Sequence, residues 1–204
     1  VRFLGNISIG SGCGDGDDGG RSRADGPITV TLEQLRKSYS AVVLAIGASS
    51  DRKLYIPGEG SLAGVYSARE FVNWYNGHPD FVDLGEKLNL DKTTDVVVIG
   101  QGNVAIDIAR VLTKSITDLS TTDIADHALE VLKTSTVRRV SLVARRSHVQ
   151  TACTIKELRE MTRIPNVSVT TRVDEMEMGD TVSNVEEVFS TRPRRRITEF
   201  LESI

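Results

Sequence analysis

The chain has 204 residues, of which 39% are hydrophobic and 26% are charged, and its formal net charge at pH 7 is −3. Ample apolar side chains and a small net charge exclude a chain that is disordered throughout. The mild acidity argues against general nucleic-acid binding. No apolar run approaches the ~18 residues of a membrane span, so we predict no transmembrane segment, while peripheral association with a membrane stays open.

Neither a metal site nor a side-chain nucleophile is indicated. Cys13 and Cys153 are far apart and form no CxxC pair, which argues against a disulfide framework, a zinc ribbon and a dithiol redox site. The three histidines have no metal-ligand spacing, and no serine lies in a GxSxG motif. We therefore predict no metal ligand and no catalytic side chain.

The first part of the chain combines short elements with an irregular segment. Residues 5–9 are predicted as a strand, and residues 10–26, which are rich in glycine and aspartate, as a disordered surface insertion. Thr31 and Gln34 fit a capping box that begins a helix. The apolar run over 41–47 predicts a fully buried strand.

A second capping box follows an irregular connection that contains a Pro-Gly pair. Ser67 and Glu70 predict the start of a helix that ends at Gly77. The helix carries three aromatic residues at helical spacing, and we interpret them as packing residues rather than ligand contacts: Phe71, Trp74 and Tyr75.

From residue 95 the pattern changes to alternating strands and helices. Such alternation predicts an α/β fold with a parallel sheet and helices on its faces. The predicted strands cover 95–100, 140–144 and 167–170. The predicted helices cover 103–112, 121–133, 154–161 and a region that begins at 197.

A glycine-rich motif lies between the first of these strands and the helix after it. In a GxGxxA motif the first glycine permits a tight turn, the second lets the backbone approach a pyrophosphate, and the small last residue lets helix and strand pack closely. The N-terminus of the helix favours the anionic phosphates. We therefore predict a dinucleotide site at Gly100, Gln101, Gly102, Asn103, Val104 and Ala105.

The residues that end the next strand predict which dinucleotide is bound. An NAD site would place Asp or Glu there for the ribose 2′-hydroxyl. This strand instead ends in Arg145 and Arg146, whose guanidinium groups can bind a 2′-phosphate bidentately. NADP(H) is therefore favoured over NAD(H), and the alternative is a solvated arginine pair at a strand end.

Two further features have more than one interpretation on sequence alone. Glu157 stands three residues after Thr154, so its carboxylate either completes a capping box or accepts a hydrogen bond from a cofactor ribose, and the spacing favours the cap. The basic run over 192–196 is a solvated patch, a nuclear signal or a docking surface for an acidic protein, and the patch is the simplest interpretation.

Several strings together resemble one family. The motifs Trp-Tyr-Asn-Gly over 74–77, Gly-Gln-Gly-Asn-Val-Ala over 100–105 and Thr-Ile-Lys-Glu-Leu-Arg over 154–159 occur in this order, followed by the basic run. The set resembles the adrenodoxin reductase family, the mitochondrial-type NADPH–ferredoxin reductases. The resemblance implies a two-domain flavoprotein of the glutathione-reductase type, in which NADPH gives hydride to FAD and the flavin passes single electrons to a [2Fe–2S] ferredoxin.

The resemblance also assigns roles to residues. It implies that Gln101 to Val104 hold the NADP pyrophosphate, that the arginine pair takes the 2′-phosphate and that Glu157 contacts the cofactor, against the preference from spacing. It implies a main-chain contact of Ile9 to FAD. The residues that would face the acidic ferredoxin are Arg159, Arg192 and Arg196.

The resemblance implies a domain division and leaves one alternative function. Residues 1–94 would be the rear part of an FAD-binding domain, and residues 95–204 an NADP-binding domain. The segments that complete the FAD site in this family are expected before residue 1 and after residue 204, so we expect a truncated chain. The alternative is a non-catalytic NADP(H)-binding or ferredoxin-docking module without FAD. A location in the mitochondrial matrix follows from the resemblance alone.

Overall fold

A computed structural model describes residues 2–5, 7–10, 28–45, 47, 50–179, 181, 184, 186, 188 and 190–204. The predicted insertion over 10–26 lies, apart from Gly10, outside the described residues. The chain divides into two compact units, Val1–Ser50 and Asp51–Ile204.

The first unit contains a small parallel sheet and one helix. Strand β1 (Ile7–Ile9) pairs in parallel with β2 (Ile28–Val30), with Ile7 beside Ile28. Helix α1 (Leu32–Ser38) follows β2 directly. The predicted capping box is confirmed, because the Gln34 N–H donates to Thr31 Oγ1 at 3.1 Å and the Thr31 N–H donates to Gln34 Oε1 at 2.8 Å.

The strand predicted over 41–47 is wrong. The described residues of that run have no strand pairing, and Val43 and Leu44 are exposed. An apolar run forms a buried strand only when neighbouring strands and covering helices satisfy its backbone and side chains. No described residue of this unit is buried.

The second unit begins with helices that build its core. Helix α2 (Ala68–Tyr75) starts with the predicted capping box at Ser67 and is followed by Gly77, which has a φ of +79°. Phe71, Trp74 and Tyr75 are buried, so their interpretation as packing residues is confirmed. A 3₁₀ turn (Pro79–Phe81) and helix α3 (Leu84–Leu88) follow.

A parallel βα unit positions the predicted cofactor motif. Strand β3 (Asp95–Ile99) pairs with β4 (Arg139–Val143) in parallel, with Asp95 beside Arg139 and Ile99 beside Val143. Helix α4 (Asn103–Thr113) follows β3, and α5 (Ile116–Leu119) and α6 (Asp126–Lys133) complete the crossover. The pairing confirms the α/β prediction, whereas the helix predicted over 121–133 begins only at Asp126.

Most of the elements described after β4 are helices. A 3₁₀ turn (His148–Gln150) precedes α7 (Ile155–Met161), α8 (Val173–Gly179) and α9 (Arg192–Leu201). The strand predicted over 167–170 is wrong, because those residues are irregular and use Val167 and Val169 to pack against a hydrophobic cluster.

Helix α4 lies between two hydrophobic clusters of the second unit. Ile108 and Leu112 pack in a cluster with buried side chains of α2, α3 and α6. Ile106 and Ala109 pack in a second cluster with α7 and Ile197 of α9. Because apolar residues occupy both of these faces, the helix is held over most of its length, and its N-terminus is fixed relative to β3.

The end of α2 is also bound to the start of α6. The Ala125 N–H donates to the Tyr75 carbonyl at 2.9 Å, and His127 Nε2 lies 2.9 Å from the Trp74 carbonyl oxygen. His127 is half-buried. These contacts satisfy carbonyl groups that the end of a helix otherwise leaves without partners.

The predicted domain boundary at 94/95 falls inside the second unit. The Tyr75 hydroxyl crosses that boundary and donates to Asp107 Oδ2 at 2.9 Å. The compact units do not show which cofactor each part of the chain binds. The division of the chain into an FAD portion and an NADP portion therefore remains a prediction. Among the described residues, no helix is long and apolar enough to cross a membrane.

Candidate cofactor site

The turn after β3 needs a glycine at its first position. Gly100 has a φ of +144°, a conformation that residues with a Cβ rarely adopt. Its N–H donates to the Val143 carbonyl at 2.8 Å, which joins the turn to the end of β4. A Cβ at this position would meet Ala105 Cβ at an ordinary 3.7 Å, so backbone conformation rather than space requires the glycine.

The second glycine of the motif is in a different situation. Gly102 caps α4 with a φ of −95° and a ψ of 178°, which any residue can adopt. A Cβ placed on it would have no atom within 4 Å. The fold itself therefore does not explain a glycine here, whereas a ligand that approaches the backbone in this open space would. The first N–H groups of α4 have no partner within the helix, and they favour an anion.

Gln101 connects the turn to the loop after β4. Its Nε2 donates to the carbonyl oxygens of Arg146 and Ser147 at 3.4 and 3.3 Å. Its Oε1 accepts a hydrogen bond from Thr151 Oγ1 at 3.1 Å, and its carbonyl accepts one from the Ala152 N–H at 3.2 Å. The side chain that the motif places between the two glycines thus fixes the loop that carries the arginine pair.

Asn103 makes a second connection, to the start of α7. Its Oδ1 accepts a hydrogen bond from the Thr154 N–H at 2.8 Å. The neighbouring Val104 is exposed, and Ala105 is buried against the turn, as the motif predicts for its small last residue. Of the predicted site residues, Gln101 and Asn103 therefore form side-chain hydrogen bonds with other segments of the chain.

The arginine pair is available for an anion. Arg145 and Arg146 follow β4 and are exposed. Within the described ranges, neither side chain has an ion pair or a hydrogen bond. Two guanidinium groups without an ion pair among the described residues therefore lie on the loop that Gln101 joins to the glycine turn, and their contact with a 2′-phosphate stays a prediction.

Glu157 does not complete a capping box. Thr154 Oγ1 accepts from the Glu157 N–H at 3.3 Å, but the Thr154 N–H is committed to Asn103. The Glu157 carboxylate instead accepts a hydrogen bond from Arg110 Nη1 at 2.8 Å. The interpretation of this carboxylate as a cap is therefore wrong, because an arginine on another helix binds it. Its contact with a cofactor stays a prediction.

Arg110 is the centre of a charged cluster that sequence reasoning missed. Its Nη1 lies 3.5 Å from Asp107 Oδ1, 2.8 Å from Glu157 Oε2 and 3.4 Å from Glu160 Oε2. Asp107 of this cluster also accepts a hydrogen bond from the Tyr75 hydroxyl. Burial and this hydrogen bond raise the pKa of Tyr75 above its usual range. The i,i+3 spacing of Asp107 and Arg110 was visible in the sequence, but the pairing with α7 spans 47 residues and left no local signal.

The predicted docking residues lie on two helices that contact each other. The Arg159 guanidinium of α7 lies 5.6 Å from the centre of the Phe200 ring of α9. Arg192 and Arg196 are exposed on α9, while Ile197 of the same helix is buried. The structure thus anchors α9 by its apolar face and leaves these arginines at the surface.

Two predictions concern other parts of the molecule. Ile9, the predicted FAD contact, is exposed at the end of β1 beside Val30 in the first unit. Across the ranges that the structure describes, no group of three His, Cys, Asp or Glu residues could hold a metal ion.

Comparisons with known proteins define the class of this chain. Residues 22–185 match the pyridine nucleotide-disulphide oxidoreductase family. The chain therefore belongs to that family.

Two curated relatives show where the chain lies within the family. The mitochondrial NADPH:adrenodoxin oxidoreductase of Arabidopsis thaliana is 46% identical over 199 residues, which are 98% of this chain and 37% of the relative. The Homo sapiens protein of the same name is 47% identical over 173 residues, 84% of this chain and 33% of the relative. The chain thus spans about a third of the length of these curated relatives.

A solved structure is similar in fold as well as in sequence. Mycobacterium tuberculosis FprA in complex with NADPH is 39% identical, has a TM-score of 0.74, and the match covers 85% of this chain and 37% of that one. Together with the curated relatives, it confirms the predicted resemblance to adrenodoxin reductases and the Rossmann-like fold class.

Proposed function

We propose that this chain belongs to an NADPH–ferredoxin (adrenodoxin) oxidoreductase and provides its NADP(H) site. The curated relatives that it resembles are named NADPH:adrenodoxin oxidoreductases, and the similar solved structure contains NADPH. In the proposed enzyme, hydride passes from NADPH to FAD, and single electrons pass to a [2Fe–2S] ferredoxin. Residues 95–204 form the NADP portion, and residues 1–94 contribute to the FAD portion.

One observation carries the NADP(H) assignment. The Gln101 side chain joins the glycine turn to the loop of Arg145 and Arg146. The space in front of Gly102 is open, and both arginines lack anionic partners among the described residues. A pyrophosphate at the helix N-terminus and a 2′-phosphate at the arginines would satisfy both features. NAD(H), which lacks that phosphate, would leave the arginine pair unused.

No side chain of this chain is proposed as a catalytic acid, base or nucleophile. A bound flavin supplies the conversion between hydride and single electrons, and the protein supplies binding and orientation. For FAD we propose a main-chain contact at Ile9. Gln101, Gly102, Asn103 and Val104 bind the pyrophosphate of NADP(H), and Glu157 contacts a ribose.

The partner proposed for the basic surface is an acidic [2Fe–2S] ferredoxin. Arg159, Arg192 and Arg196 lie exposed on the contacting helices α7 and α9. Positive charge on one surface raises the association rate with an acidic partner and makes it depend on salt. The relatives are named mitochondrial, which supports a mitochondrial location. Peripheral membrane association stays an open proposal.

The arginine pair gives the sharpest test of the cofactor. Replacing both residues (Arg145→Ala and Arg146→Ala) should weaken NADPH binding by more than about tenfold and leave NADH binding within about twofold, because only NADPH carries the 2′-phosphate. Isothermal titration of both cofactors into the purified chain measures the two constants.

The same strand offers a matched control. Arg138 lies just before β4 and Arg139 is its first residue, so replacing both by alanine removes the same charge at the opposite end of the strand. This control should change the binding of the two cofactors little and equally. An equal loss of NADPH and NADH in the Arg145/Arg146 variant would refute the 2′-phosphate assignment.

A further inference from the structure

The Arg110 cluster binds two helices of the proposed cofactor site together. Helices α4 and α7 are joined at Asn103 and Thr154, and again about two turns along α4 at Arg110 and Glu157. The side chains of Arg110 and Glu157 are 21% and 27% exposed. An ion pair that is shielded to this degree is held more firmly than one on an open surface.

The geometry of the ion pair leaves half of the carboxylate unused. Arg110 donates to Glu157 Oε2. In the part of the chain that the structure describes, Glu157 Oε1 has no hydrogen-bond partner. An ionised carboxylate accepts hydrogen bonds at both oxygens, so Oε1 can accept a hydroxyl group while Oε2 stays bound to the arginine.

We propose that Arg110 is a positioning residue that holds the Glu157 carboxylate so that Oε1 accepts a ribose hydroxyl of NADP(H). This inference rests on the proposed function. Without Arg110, the carboxylate would be free to rotate, because Arg110 Nη1 is the group that holds its Oε2. It would also face Glu160 and Asp107 without the cation that lies between them.

Charge identifies which ribose Glu157 contacts. A carboxylate repels a 2′-phosphate, which the arginine pair binds in the proposed function. Glu157 therefore contacts the ribose that carries no phosphate, the one attached to the nicotinamide. That ribose is identical in NADPH and NADH, so loss of Arg110 should affect both cofactors by the same factor.

A double-mutant cycle tests the positioning role. Titrations of NADPH and NADH are carried out on wild type, Arg110→Gln, Glu157→Gln and the double variant, all as the full chain. Arg110→Gln and Glu157→Gln should each weaken both cofactors on the order of tenfold. The double variant should bind as Glu157→Gln does, because Arg110 acts only through that carboxylate. Arg110→Lys keeps the charge and one donor, and should restore part of the affinity.

The matched control is Arg172→Gln. Like Arg110, Arg172 pairs with more than one carboxylate, here Asp174 and Glu175, but it is exposed and outside the proposed site. This variant should bind both cofactors as wild type does. Thermal unfolding of every variant gives the folded fraction, and if Arg110→Gln does not fold, Arg110→Lys completes the cycle in both Glu157 backgrounds.

The outcomes separate this inference from the proposed function. Wild-type affinity in Arg110→Gln, or the same further loss when it is added to Glu157→Gln, overturns the positioning role. If the Arg145/Arg146 variant still loses NADPH selectively in that case, the proposed function stands without it. A wild-type chain that binds neither cofactor overturns both.

Discussion

The two parallel strand pairs of this protein differ in how much structure covers them. Strands β1 and β2 pair over three residues in a unit with no buried residue among those described. Strands β3 and β4 pair over five residues, and α4 beside them packs into two hydrophobic clusters. Parallel pairing needs covering helices, because its strands are apolar on both faces. In the second pair, Val96 and Val98 of β3 pack against a hydrophobic cluster, while Val97 and Ile99 are exposed. The comparison shows that one covered face distinguishes the longer strand pair from the shorter one.

Truncating one buried and one exposed isoleucine should reveal the largest difference in packing between the two units. Ile106 on α4 is 2% exposed, whereas Ile28 on β2 is 69% exposed. Ile106→Ala should reduce the free energy of unfolding by about 2–5 kcal/mol, because it leaves a cavity, and Ile28→Ala by less than about 0.5 kcal/mol. Denaturant unfolding measures both values. Similar losses would show that the first unit is as well packed as the second.

The two glycines of the turn should separate folding from binding. Gly100→Ala forces a φ of +144° on a residue with a Cβ and should cost about 1–3 kcal/mol of stability. Gly102→Ala should cost less than about 1 kcal/mol, since its backbone is relaxed, but should weaken NADPH more than tenfold by filling the open space. Unfolding curves and NADPH titration on both variants test this. Unchanged NADPH affinity in Gly102→Ala would contradict the assignment of that space.

The smallest effect concerns the hydroxyl that joins α2 to α4. The folded state raises the pKa of Tyr75, so it disfavours the tyrosinate, and stability should fall as the pH rises above the usual tyrosine value of about 10. Tyr75→Phe should flatten that alkaline fall and cost about 1 kcal/mol at pH 7 by removing the hydrogen bond to Asp107. Denaturant unfolding between pH 7 and the alkaline range measures both effects. Equal slopes in variant and wild type would show that Tyr75 does not control the alkaline stability.

Local signals predicted local structure well. The capping boxes at Thr31 and Ser67 are present, because each depends on residues three apart. The described residues of 41–47 and residues 167–170 do not form the predicted strands, because strand formation depends on a partner elsewhere in the chain, which an apolar run does not reveal.

The same distinction between local signals and distant partners applies to the candidate site. The glycine motif predicted the turn, since its conformational requirement lies in consecutive residues. The contacts of Gln101 with the β4 loop and of Arg110 with Glu157 span 45 to 47 residues, and they depend on how α4 and α7 pack. For Glu157, spacing predicted a partner on its own helix, but packing supplied a different one.

The hydrogen bond from the Ala125 amide to the Tyr75 carbonyl has a consequence for hydrogen exchange. That amide loses its protection when the end of α2 separates from the start of α6, so its exchange rate reports the opening of two helices that lie far apart in sequence. Amides within α2 and the amide of Ala125 should then exchange together as one cooperative unit.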